Sequence, residues 1–211
     1  MGYFSILASQ AVGAAGQVIA FEPTPSTFAV LAANSRTRKN VTPMNAAGWS
    51  EPSTISLHDY GPGFSAFNSV FQARLPDEVR NRISERTCAV QAVRLDDYVR
   101  DHGCVPDVVK IDVESAEMHV LRGMEQLLSG SRPIISLEVE DMGAPDAPNS
   151  RDLVEKSSPS TTVNSNCARA AHSPTNCETS TSTSTRISSS LRLSGPVTSH
   201  LDFSQLFRTF S

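Results

Sequence analysis

The chain has 211 residues, 39% of them hydrophobic and 19% charged, with a formal net charge of -4 and a pI near 5.7. That length allows one ordinary domain with a tail, or two very small domains. The acidic balance argues against a general nucleic-acid or anionic-membrane binder. No apolar run approaches the roughly 18 residues of a membrane span, so no transmembrane helix is expected.

The first residues, "MGYFSILASQ", lack the basic segment of a secretory signal, and Ser5 is out of place for N-myristoylation. Cys88, Cys104, Cys167 and Cys177 form no CxxC pair. Cys167, His172 and Cys177 are evenly spaced but lack a fourth ligand, so no metal site is expected. Reduced thiols in a cytoplasmic protein are the expectation.

Along the chain, "QVIAFEP" (17–23), "DVVKID" (107–112) and "PIISLEVE" (133–140) are short apolar runs closed by turn formers or acids. Runs of this kind suit strands buried on both faces of a parallel sheet. Residues 24–35 predict a helix with Phe28, Leu31 and Ala32 inward, its prolines acceptable in a first turn. Residues 115–128 predict a second, with Ala116, Val120, Leu121, Met124, Leu127 and Leu128 on one face and Gly130 and Pro133 as the stop. The alternation of strand and helix points to a doubly wound α/β sheet.

The middle alternates instead. "TISLHDY" (54–60), the turn Gly61-Pro62-Gly63 and "CAVQAVRLDDYV" (88–99) predict antiparallel or edge strands around a polar helix at 75–86 with Val79 and Ile83 inward. The first two thirds of the chain, residues 1–142, read as the folded domain. From residue 143 a linker leads into a Ser/Thr-rich tail to residue 211, whose composition cannot bury enough surface to offset ordering entropy. The stretch 146–200 is expected to be disordered. Phe203, Leu206, Phe207 and Phe210 keep helical spacing and predict a short docking helix.

Ligands bind outside the carboxyl ends of strands in a doubly wound sheet. Glu22 ends one strand and Asp112 another, so both fall on that edge. Glu22 lies twenty residues after Gly2, the usual interval between a glycine turn and the acid that takes ribose hydroxyls. Glu114 and Glu117 read as first-turn acids favoured by the helix dipole. Lys110 is expected to pair with Asp112 or Glu138 across the rim, and His119 to be exposed.

"VIAFEPTPSTFAVLAAN", "KNVTPMNAAGWSE", "VVKIDVESAEMHVLRGMEQLL" and "RPIISLEVE", in that order and spacing, resemble the FkbM family of S-adenosylmethionine-dependent methyltransferases. The resemblance covers residues 1–141. It implies a Rossmann-like methyltransferase fold, S-adenosyl-L-methionine as cofactor and a small-molecule or sugar hydroxyl as acceptor; no nucleic-acid or membrane partner is expected, on the charge and hydropathy grounds above. By the same resemblance Gly2 and Glu22 bind the cofactor, Glu22 through the ribose. Asn45, Ala46 and Ala47 line the adenine, and Asp112 stands at the methyl-transfer centre as catalytic base or positioning group. Metal dependence is left open.

Three departures from the family's pattern matter. Gly2 matches only the last glycine of the family's first motif, so the first strand is expected to be missing and the sheet incomplete. Ser115 stands where the family commonly has glycine. At positive φ a serine there costs roughly 1 kcal/mol, whereas at a helix N-cap it is favourable. The abrupt tail, with the late start, fits an incomplete gene model. Two other readings compete: an inactive fragment or interaction protein using its tail, and a nicotinamide-dependent oxidoreductase. The second requires a complete GxGxxG after a first strand, which the sequence lacks.

Overall fold

A computed structural model describes residues 2–72, 75, 78, 83–138 and 162–164. The chain divides into two units, Met1–Ala170 and Ala171–Ser211, and every described residue belongs to the first. The expected C-terminal helix, the Cys167–Cys177 segment and residues 76, 77 and 79–82 of the expected polar helix at 75–86 lie outside the described residues; at that helix's far end the expectation fails, since 83–85 are not helical and Arg86 opens a strand paired with residues 53–59.

The elements run α1 (Tyr3–Val12), β1 (Val18–Phe21), α2 (Pro25–Ser35), β2 (Val41–Met44), β3 (Ala47–Gly48) and β4 (Ser53–Asp59), then a 3-10 segment (Pro62–Phe67). They continue with β5 (Arg86–Val93), α3 (Leu95–His102), β6 (Val108–Ile111), α4 (Glu117–Arg122), α5 (Glu125–Ser129), β7 (Ile134–Glu138) and β8 (Thr162–Asn164). The fold is thus mixed α/β. Among the described residues its strands hydrogen-bond as three small sheets: β1–β2, β3–β5–β4 and β6–β7–β8.

β1 pairs with β2 in parallel, Val18 opposite Val41, and β6 pairs with β7 in parallel, Val108 opposite Ile134. Parallel neighbours require a crossover, which α2 supplies in the first case and α4 with α5 in the second. β4 and β5 are antiparallel over seven pairs, as the alternation of 54–60 predicts. β8 adds to β7 in parallel at residues 162–164. Those three residues fall within the stretch expected to be disordered; the strand partner accounts for the difference there.

Two corrections concern helices. Residues 88–99 are not one strand: β5 ends at Val93 and Leu95 opens α3. Leu95 and Val99, one turn apart, pack on the main core, and Gly103 closes the helix at φ 67. The expected helix over 115–128 is two helices broken at Gly123–Met124. A Cβ at Gly123 would lie 1.9 Å from the Trp49 carbonyl oxygen, so two backbones meet there. The break is then capped from outside. Asp96, buried, accepts hydrogen bonds from the N–H groups of Gln126 and Leu127, both at 3.0 Å, and from Arg94 at 3.2 Å. Its own N–H donates to the Gly123 carbonyl at 3.0 Å.

The inward residues of the split helices nevertheless match the expected face. Val120, Met124 and Leu127 join Ile111, Ile135 and Leu137 in the main core, with Leu121 and Leu128 against it. A smaller cluster unites Tyr60 and Leu75 with Ile83. α1 was not foreseen as a helix. Asn40 pins its end to β2 by donating to the carbonyls of Ser9 and Gly13 at 2.9 Å each, while the Ser9 hydroxyl donates back to Asn40 Oδ1 at 2.7 Å.

Asp96→Ala leaves two helix N–H groups and Arg94 without their acceptor, a loss of about 2–3 kcal/mol in urea unfolding. Gly123→Ala forces the Trp49 backbone aside and costs about 1–3 kcal/mol, more than the roughly 1 kcal/mol a mid-helix alanine returns. Full stability in either variant contradicts this account of the helix break.

Candidate functional site

The first strand end is built on Glu22. Its N–H continues the β1–β2 ladder to the Met44 carbonyl at 2.9 Å, and its Oε1 accepts the Thr24 N–H at 2.9 Å. Burial raises the Glu22 pKa above the ordinary carboxylate value, and the Asp59 charge adds to this; the Thr24 hydrogen bonds and the chain's amino terminus oppose it. The carboxylate thus takes hydrogen bonds from both the N–H and the hydroxyl of Thr24. Asn45, exposed, donates to the backbone carbonyls of Glu22 and Pro23 at 2.9 and 3.0 Å and so fixes the turn that presents the acid. Ala46 and Ala47 are buried core residues. Gly2 caps α1 at φ 78, and its carbonyl accepts the Ile6 N–H at 3.0 Å. A Cβ at Gly2 would stand 2.9 Å from Leu31 Cδ1.

The second strand end is built on Asp112, which is exposed. Lys110 Nζ donates to Asp112 Oδ2 at 2.6 Å and to Glu138 Oε2 at 3.2 Å, and lies 4.4 Å from the Phe4 ring centroid. Lys110 therefore pairs with both acids named for it. The turn that follows is strained. The Ala116 N–H closes onto the Val113 carbonyl at 3.2 Å around Glu114 at φ 49 and Ser115 at φ 72. Two positive φ values in succession are those of a type I′ turn, which favours glycine and asparagine. Of the two readings of Ser115, the costly one applies. Glu117 is not a solvent-facing first-turn acid. It is buried, and its Oε1 accepts the Ser115 N–H at 3.0 Å.

The two strand ends are joined by Asn68 and Ser69, which nothing in the sequence singled out. Asn68 accepts the Tyr60 N–H at 2.8 Å and donates to Thr24 Oγ1 and Asp59 Oδ1 at 3.3 Å each. Ser69, buried, donates its hydroxyl to the Glu114 carbonyl at 2.7 Å. One dipeptide thus ties the turn after Glu22 to the turn after Asp112. Beside it lies a cleft of about 340 Å³ whose lining includes Ser26, Asp59, Tyr60, Phe64 and Arg86.

His119 differs from expectation. It is half-buried and stacked on Trp49, ring centroids 3.8 Å apart and planes 4° off parallel, with Nδ1 3.4 Å from the Ser50 hydroxyl. Burial, with help from Arg122, lowers its pKa from 6.5. No group of three or more potential metal ligands occurs among the described residues, and no helix there is long and apolar enough to cross a membrane.

Because the folded state holds the His119 proton less tightly than the unfolded chain, the imidazole takes stability away as pH falls below the unfolded value of about 6.5. Urea midpoints at pH 7.5 and 5.5 test this. His119→Phe should lose less stability on acidification than the parent chain, and an equal loss removes His119 as a contributor.

Comparison with curated proteins and with solved structures finds no match to this chain. A family model, the methyltransferase FkbM domain, matches residues 2–186 and so spans both strand ends and the dipeptide between them. The chain belongs to the FkbM methyltransferase family.

Proposed function

We propose that this chain is an S-adenosylmethionine-dependent O-methyltransferase acting on a hydroxyl of a small molecule or sugar. The observation that carries the reading is the Asn68–Ser69 bridge, which holds the Glu22 and Asp112 turns of an FkbM-family chain in one connected set of hydrogen bonds. The parallel β1–β2 and β6–β7 pairs, each with a helical crossover, support the further reading that these small sheets are parts of one doubly wound Rossmann-like sheet.

The residues fit the cofactor on one specific point. Glu22 stands at the exit of β1 with its carboxylate oriented by Thr24, and its two oxygens have the acceptor capacity that a vicinal diol's two hydroxyls require. Glu22 would take the ribose hydroxyls, Asn45 would hold the presenting turn, and the backbone from Gly2 to Ala47 would supply the remaining contacts. When bound, S-adenosylmethionine supplies an activated methyl group on a sulfonium. Asp112 would receive the acceptor's hydroxyl proton on Oδ1, since Oδ2 is held by Lys110. Lys110 fixes the carboxylate between strands β6 and β7 and so orients that oxygen.

The same ion pair favours a second reading, in which the chain keeps the family's fold without turnover because Asp112 is committed to Lys110. Calorimetric titration with S-adenosylhomocysteine separates the two when paired with methyl-transfer assays on hydroxyl acceptors. Glu22→Ala should weaken binding by about 1.5–3 kcal/mol, a charge-assisted hydrogen bond. Asp112→Asn should spare binding and abolish transfer. Unchanged affinity in the first variant removes Glu22 from the site, and retained turnover in the second moves the base elsewhere. Since burial raises the Glu22 pKa, affinity should also fall as pH drops toward that raised value, before an ordinary glutamate would be protonated.

A further inference from the structure

The first fifty residues contain one acid, Glu22, and three bases, Arg36, Arg38 and Lys39. The fold separates them. Glu22 follows the carboxyl end of β1, whereas the bases stand in the α2–β2 loop, at the amino end of the same sheet. There Arg38 and Lys39 face the turn Gly13–Gly16 across an open cleft of about 540 Å³. Gln10, Gln17 and Thr37 add neutral donors to its lining, and among the described residues no carboxylate lines it. Neither cation has an ion-pair partner among the described residues.

The walls are built before any ligand arrives. Asn40 ties the end of α1 to the basic loop by three side-chain hydrogen bonds with Ser9 and Gly13, so the backbone that carries Arg38 and the exposed Lys39 is held at a set spacing from the glycine turn. Gly13 sits at φ 68, and a Cβ at Gly16 would come 2.4 Å from the Val12 Cβ, so neither position accepts a side chain freely. Ala14 and Ala15 place no more than methyl groups over the turn. The carboxyl end of α1 draws cations, but a helix dipole amounts to about half a charge there. Two full charges exceed it. They are also too few for the phosphate-by-phosphate neutralisation that nucleic-acid binding needs.

An arginine fork, an ammonium and neutral N–H and O–H donors, without a carboxylate, match an oxyanion with several acceptor oxygens. We propose that this cleft binds the phosphoryl group of a small soluble ester, at a site separate from the strand ends that carry Glu22 and Asp112. The inference does not rest on the methyltransferase reading, since it uses none of those residues.

The test titrates the full chain with inorganic pyrophosphate by calorimetry. Saturable binding with Kd below about 1 mM is expected. In the Arg38→Ala, Lys39→Ala double variant binding should weaken by roughly tenfold or more, with the melting temperature and the S-adenosylhomocysteine titration unchanged. Glu22→Ala should leave pyrophosphate binding intact. Should the double variant melt early, Lys39→Gln alone should still weaken binding several-fold. The proposal is overturned by no saturable binding up to about 10 mM, by binding that both cation variants retain, or by loss in Glu22→Ala. It is equally overturned if the chain ignores pyrophosphate and is captured only by phosphatidylcholine vesicles containing phosphatidic acid.

Discussion

The candidate site depends on two neighbouring polar side chains, Asn68 and Ser69. Strand ends in separate small sheets have no ladder hydrogen bonds in common, so something else must set their spacing. Here the carboxamide of Asn68 reaches Thr24 and Asp59 while the hydroxyl of Ser69 reaches the Glu114 carbonyl. The Ser69 backbone is itself anchored, exchanging N–H and C=O bonds with His58 at the end of β4. The segment after β4 therefore acts as the tie between the β1–β2 and β6–β7 pairs.

A second layer of order comes from acids placed where no solvent reaches them. Asp96 starts α5 and holds Arg94, and Glu117 supports the strained turn at Ser115. Neither is spare for chemistry, since each carboxylate is engaged by backbone N–H groups that would otherwise be buried without acceptors. The acids at the strand exits, Glu22 and Asp112, are held instead by Thr24 and Lys110 at the rim. That division between architectural and rim carboxylates answers why so many acids gather around "VVKIDVESAE".

Local pattern made part of this legible. The strands near 18–21, 53–59, 108–111 and 134–138 were readable because short β-branched runs end in turn formers. The inward face of residues 120–128 was readable because burial follows helical spacing even across the break. The break itself was hidden, because Gly123 resembles any tolerated helix glycine until the Trp49 backbone is beside it. α3 was hidden because Leu95 and Val99 also satisfy a strand's alternation. α1 is apolar on nearly every side, which gives no period to read. Asn68 and Ser69 left no signal of their joining role: the partners that link the strand ends, Thr24 and Glu114, lie 44 and 45 residues away.

The Trp49–His119 stack has a consequence of another kind. The chain has a single tryptophan, so its ultraviolet-excited emission comes from one place. That indole lies flat against an imidazole on the helix following the Asp112 turn. An imidazolium quenches a stacked indole by accepting an electron from its excited state, and a neutral imidazole does so far less. The protein therefore carries its own optical probe at the start of α4, readable without any label.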